Sequence, residues 1–109
     1  MTWPTELRLN PGRDGLTVSF DNGERFTLAA EYLRVESPSA EVRGHGGGPR
    51  QIVRAKENVK ITALEPVGNY AVRIVFDDGH DSGLYSWDFL ATLGREHETI
   101  WAQYLKARG

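Results

Sequence analysis

Five consecutive residues, Asp77-Asp78-Gly79-His80-Asp81, bring three carboxylates and an imidazole together. Such a set of oxygens and a nitrogen suits a divalent ion. His80 and Asp81, with Tyr85 close behind, are also the groups that a small acid-base enzyme would use. A second histidine, His45, stands in Arg43-Gly44-His45-Gly46-Gly47-Gly48, where successive glycine amides flanked by Arg43 and Arg50 suit an anion nest. No G-x-G-x-x-G and no Gly-Lys-Ser/Thr phosphate loop is present. Ser37, Ser39, Ser82 and Ser86 lack the G-x-S-x-G elbow of a serine nucleophile.

Composition narrows these choices. The chain has 109 residues and no cysteine, so disulfides, thiolate metal sites and cysteine nucleophiles are excluded. Its length predicts a single domain over residues 1–109 with one modest core. A formal charge of −2 gives no long-range attraction to nucleic acid or to an anionic membrane. Arg43, Arg50, Arg54, Lys56 and Lys60 form a basic strip, but it lacks interleaved aromatics and is diluted by Glu41 and Glu57, which reads as a solvated loop. The N-terminus has no basic segment followed by an apolar one, and no apolar run approaches the roughly 18 residues of a membrane span, so a cytoplasmic protein is expected.

The elements that must position these residues are short. Leu7 and Leu9, then Leu16, Val18 and Phe20, alternate with polar residues across a Pro11-Gly12 turn, and Glu24 to Leu28 completes a meander after Asp21-Asn22-Gly23, read as a two-residue hairpin turn. A helix follows over Ala29–Glu36, closed by Pro38. Residues 39–58 are polar and glycine-rich, the composition of a long loop. Lys60–Val67 and Tyr70–Phe76 form a second hairpin with Val72, Ile74 and Phe76 on one face.

The chain then repeats itself. The segments VSFDNGERFTLAAEYL and RIVFDDGHDSGLYSWDFL share a strand, a Phe-Asp-(Asn/Asp)-Gly turn, a short strand and a helix start, with Phe20 and Phe76 equivalent. Ser86 is a helix N-cap and Gly94 the matching C-cap. Beyond it His97, Ile100, Trp101, Tyr104 and Leu105 form one helical stripe, expected to pack on the chain itself; its alternative use is dimerisation through Trp101 and Tyr104. The fold class is therefore α+β: two antiparallel hairpin or meander units, each followed by a helix, with a C-terminal helix, in one compact domain. The turn Asp77-Asp78-Gly79 is explained by hairpin geometry, because Asp21-Asn22-Gly23 repeats it. His80, where the first unit has Glu24, is not.

In EYLRVESPSAEVRGHG, in ALEPVGNYAVRIVFDDGHDSGLYSWDFL and in the early LRL and LTVSFDNG segments, the sequence resembles the γ-butyrobetaine hydroxylase-like N-terminal domain family. The resemblance runs from Leu7 to about Leu93. It implies a small α+β scaffold found as free-standing bacterial proteins, as the N-terminal domain of iron- and 2-oxoglutarate-dependent oxygenases, and joined to some Mrp-type iron-sulfur carrier ATPases. In the oxygenases the domain looks like a zinc unit with three cysteines and a histidine, whose positions fall here on Ser37, Ser39, Val42 and His80. Valine cannot coordinate and neutral hydroxyls are poor zinc ligands, so zinc is not expected.

The sequence reading is thus a non-catalytic interaction module, related to iron, iron-sulfur or oxygenase biology, with a protein partner of that kind and a monomeric or weakly dimeric state. Its contact surface is expected at Arg43, Arg50, Tyr85 and Trp87. Residual affinity for iron or another divalent ion would reside on His80, His45 and Asp81, aided by Glu36 or Glu41. The alternative is an enzyme using His80, Asp81 and Tyr85.

Overall fold

The computed structural model describes residues 3–38 and 56–108. His45, Arg43, Arg50, Ser39, Val42 and Glu41 lie outside the described residues. Strands β1 (Pro4–Leu9), β2 (Gly15–Phe20) and β3 (Arg25–Ala29) form one antiparallel sheet in the order β1-β2-β3, followed by helix α1 (Ala30–Val35). Strands β4 (Ile61–Val67), β5 (Ala71–Phe76) and β6 (Leu84–Ser86) form a second sheet in the order β4-β5-β6, followed by α2 (Trp87–Arg95) and α3 (His97–Arg108).

Alternation decides which faces are buried. Leu16, Val18 and Phe20 on β2, and Val72, Ile74 and Phe76 on β5, point inward and are at most 3% exposed. They join Leu28, Tyr32, Leu33, Ile61, Tyr85, Leu90 and Leu93 in one apolar cluster shared by both units.

The repeat is geometric as well as sequential. In the first turn the Gly23 amide donates to the Phe20 carbonyl (3.1 Å) and the Phe20 amide to the Glu24 carbonyl (2.8 Å). In the second, Gly79 donates to Phe76 (3.2 Å) and Phe76 to His80 (2.9 Å). Gly23 and Gly79 both have φ of +92°, while Asn22 and Asp78 do not enter the left-handed region. These are three-residue loops, a turn closed by a glycine bulge, and not the two-residue turn expected from Asn-Gly. The closing residues fix the difference: Phe20 and Glu24 pair across three residues, so only the last one needs positive φ. Even the irregularities match, with a register shift between Pro4 and Glu6 in β1 and between Ile61 and Ala63 in β4.

Helix α2 begins as its sequence dictates. Ser86 Oγ accepts the Phe89 amide at 3.1 Å. We expect Ser86→Ala to lower stability by about 1 kcal/mol; urea denaturation monitored by circular dichroism measures this. Gly94 is not the C-cap. The helix runs through it to Arg95, and Glu96 closes the end by donating to the Thr92 carbonyl at 2.9 Å. Gly94 is instead where the helix meets the Phe26 ring: a Cβ built there would lie 2.3 Å from Phe26 Cγ.

On α3 the predicted stripe packs on the chain itself. His97 and Trp101 meet the Tyr32 ring edge-on at centroid distances of 4.6 and 5.7 Å, and Trp101 stacks on Tyr104 at 5.1 Å. Tyr104 is 5% exposed, so this face is already occupied within the chain. Leu105 departs from the expectation and is exposed, because it follows Tyr104 by about 100° around the helix and turns off the packed stripe.

Candidate functional site

The loop that follows β5, Asp77-Asp78-Gly79, lies against the end of α1, and polar side chains are buried between them. Arg34, Glu36, Ser37 and His80 are the buried polar or charged residues of the described chain. Arg34 is the basic residue of the last turn of α1, Ser37 follows that helix, and His80 closes the Asp77-Asp78-Gly79 loop. Ser37 Oγ and His80 Nε2 are 2.8 Å apart. The hydroxyls of Ser37 and Tyr85 are hydrogen-bonded, and Tyr85 Oη donates to the Leu33 carbonyl.

A carbonyl only accepts, so the Tyr85 proton goes to Leu33. Tyr85 Oη can in turn accept from Ser37, whose hydroxyl lies at hydrogen-bond distance from His80 Nε2. The relay links His80 Nε2 through Ser37 and Tyr85 to the backbone of α1. Burial pushes the Tyr85 phenol well above its ordinary range, with the Ser37 hydrogen bond opposing it. Tyr85→Phe leaves the Ser37 hydroxyl and the Leu33 carbonyl short of a buried partner, and we expect a loss of about 1–2 kcal/mol with little change in the ring's packing; thermal melts of the two proteins give the comparison.

Asp78 anchors the charged part of the junction. Its Oδ2 accepts from Arg34 Nε at 2.8 Å and lies 2.7 Å from Lys56 Nζ. Its Oδ1 accepts the His80 amide at 3.1 Å, as Asn22 Oδ1 accepts the Glu24 amide at 2.9 Å in the first turn. Burial pulls the Asp78 carboxyl up, but the bonds from Lys56, the His80 amide and Arg34 outweigh it and hold the group at about 2. Beside it Lys56, Asn58, Val59, Asp77 and Asp78 line an open cleft of about 270 Å³.

The acid-base set is not assembled. His80 and Tyr85 turn into the core, while the Asp81 side chain is 58% exposed with its carboxylate 3.9 Å from Arg73. Tyr85 and Trp87 are core residues and not contact surface, at 0% and 8% exposure, because β6 pairs Tyr85 with the inward-facing Val72 and α2 starts with Trp87 tucked under the β4–β5 turn. The Trp87 indole donates to the Asn69 carbonyl at 2.9 Å. Among the described residues no three His, Cys, Asp or Glu side chains converge on a common point. The sequence reading did not single out Arg34, and it put Lys56 in a solvated strip and Asp78 in a hairpin turn without joining the three as ion-pair partners. Its signal for Arg34 was a lone arginine among apolar positions of α1.

Residues 7–91 match the family described as gamma-butyrobetaine hydroxylase-like, N-terminal. The chain belongs to that family. Two neighbours in fold are proteins solved in solution by NMR, 51% and 43% identical, each with a TM-score of 0.83 over 98% of this chain and over 80% and 84% of theirs. A third is the crystal structure of a protein of unknown function of the DUF971 family from Acidithiobacillus ferrooxidans ATCC 23270, 36% identical with a TM-score of 0.70 over 84% of this chain and 91% of that one. No curated protein matches. The zinc that the family resemblance implies does not fit the residue types here: Ser37 offers only a neutral hydroxyl, already hydrogen-bonded to His80, and the valine at position 42 has no donor atom. No helix of the described residues is long and apolar enough to cross a membrane.

Proposed function

We propose that this chain is a non-catalytic binding module that works by contact with a protein partner, and that the buried junction holds the contact surface in shape. The observation that supports this reading is the relay from His80 through Ser37 and Tyr85 to Leu33. It ties one ring nitrogen of His80, the one strong ligand type left at the family's zinc positions, to Ser37, and it ties the phenol that an acid-base mechanism would need to the Leu33 carbonyl. The contact surface is the cleft of Lys56, Asn58, Val59, Asp77 and Asp78, which shares Asp78 with the junction. An oxygenase or iron-sulfur carrier is the partner class, since the family's domains are joined to such proteins. The metal-associated reading, iron or another divalent ion on His80 with Asp81 and His45, would draw Asp81 from its exposed position beside Arg73.

Purification of the untagged protein from its native cell tests the proposal. A protein should co-purify in fixed stoichiometry and be lost with Asn58→Arg, an exposed substitution in the cleft, while the melting curve is unchanged. In parallel, Fe(II) or Zn(II) at equimolar amounts should leave the His80 ring 15N signals in place. Purification of the chain alone, or metal-induced movement of those signals, overturns the reading.

A further inference from the structure

The inner faces of both sheets are occupied where the two units meet across a joint: Tyr32 Oη donates to the Leu93 carbonyl at 2.7 Å, and Tyr85 Oη to that of Leu33. The sheet edges are not equally closed. Strand β1 is outermost in the first sheet and pairs with β2 alone. The Asn10 amide donates to the Gly15 carbonyl at 3.1 Å, so alternation makes Arg8 with Thr17 and Glu6 with Ser19 the hydrogen-bonded pairs. The N–H and C=O groups of Leu7 and Leu9 therefore turn to the open side, where no backbone hydrogen bond reaches them among the described residues. Strand β4 holds the equivalent place in the second sheet, and its edge is blunted. Pro66, opposite Val72, stands where Leu9 stands opposite Leu16, and it has no N–H to offer. The neighbouring Thr62 carbonyl is taken by Arg13 Nη1 at 3.0 Å.

We propose that the β1 edge is an interaction surface for a second copy of this chain, two β1 strands pairing antiparallel across a two-fold axis at Leu7. The result is one continuous sheet in the order β3-β2-β1-β1-β2-β3. Unpaired groups and charges together set the register. With the axis at Leu7, the two Leu7 residues exchange N–H···O bonds, and Glu6 of each copy lies opposite Arg8 of the other. Centring on Arg8 instead would set arginine against arginine, a destabilising like-charge pair. Within one copy Glu6 and Arg8 pair with each other at 2.8 Å on the exposed face, and such a pair contributes little, so it gives way to the two across the axis at little cost. These charges select the register. Association itself comes from the backbone groups that lack a strand and from Leu7 and Leu9, which are only partly buried against the core. The ladder is bounded by Pro4 and Pro11, so it buries less than the roughly 1,200 Å² of a stable complex, and the dimer forms only at about 1 mM protein.

Sedimentation equilibrium of the full chain at about 1 mM and at about 10 μM tests the proposal. The average mass should rise from 12.2 kDa toward twice that value at the higher concentration only. In NMR spectra the amide signals that move on dilution should include those of Leu7 and Leu9. Glu6→Arg and Arg8→Glu each set like charges across the axis, so each variant alone should associate about tenfold more weakly. An equimolar mixture of the two should recover the dimer, because one strand then carries only positive charge and the other only negative. Both positions are exposed, and the melting curves should not move. A chain that stays monomeric at about 1 mM would leave the edge to a strand of another protein and overturn the proposal. A dimer that both variants keep, that the mixture fails to restore, or that leaves the Leu7 and Leu9 signals in place overturns it equally.

Discussion

Asp78→Ala is expected to lower the stability of the protein by about 3 kcal/mol, the low end of the cost of breaking a buried ion pair. The Arg34 side chain is 4% exposed, and its Nε donates to Asp78 at 2.8 Å; removal of the carboxylate takes that counter-charge from a buried guanidinium. The low end applies because Asp78 and Lys56 retain some contact with water, with side chains 19% and 23% exposed. For a domain of this size the loss corresponds to roughly 10–20 °C in Tm. Asp78→Asn keeps the acceptor for the His80 amide and removes the charge, so it separates turn geometry from ion pairing and should retain most of the loss. Urea denaturation measures both, and a loss under about 1 kcal/mol would show that Arg34 finds other compensation.

The same carboxylate sets an acid limit. Its folded value of about 2 lies below the ordinary 3.8, so the unfolded chain binds the proton more tightly. The stabilisation is complete above about pH 4 and is lost as pH falls from 4 to 2. Glu24 works with the same sign, held from 4.5 to about 2 by the Arg95 and Asn22 hydrogen bonds. Denaturation midpoints between pH 4 and 2 should therefore fall less steeply in Asp78→Asn than in the unaltered protein. Parallel curves would assign the acid sensitivity elsewhere.

Gly94→Ala inverts the usual rule for helices. On propensity alone alanine would stabilise an interior helical position by up to about 1 kcal/mol. Here the added Cβ would lie 2.3 Å from Cγ, 2.5 Å from Cδ2 and 2.7 Å from Cδ1 of Phe26, atoms near the root of the ring that cannot swing aside without moving β3 or α2. Overpacking of this kind costs about 1–3 kcal/mol, so the net result should be a loss of about 2 kcal/mol. In a Phe26→Ala background the clash is absent, and Gly94→Ala should become stabilising. The change of sign in this double-mutant cycle is the decisive readout. A destabilising alanine in both backgrounds would mean that the glycine answers a backbone need.

Much of this was legible in the sequence. The period-two alternation of Leu16, Val18 and Phe20, and its echo in Val72, Ile74 and Phe76, fixes two strands and their buried faces, because side chains alternate across a strand whatever packs against them. The Ser86 cap, the turn glycines and the internal repeat are equally local. The family was readable from the segments around Ser37 and His80, and the loss of the zinc set follows from the residue types alone. The misreadings at Gly94, Leu105, Tyr85 and Trp87 share one cause: each depends on what lies opposite, and a single sequence does not say which ring fills the space beside a glycine or which side of a short strand faces the core.

What the sequence by itself determined was therefore the set of elements, their order and their apolar faces, since these follow from periodicity and backbone preference within a few residues. Only the tertiary structure decided how the two units meet: His80 on Ser37, Asp78 on Arg34, Glu24 on Arg95, and the tyrosines across the joint. These pairs are 43 to 71 residues apart along the chain. Their existence depends on burial that excludes water and leaves each polar group only the partner opposite, a condition that local sequence does not contain.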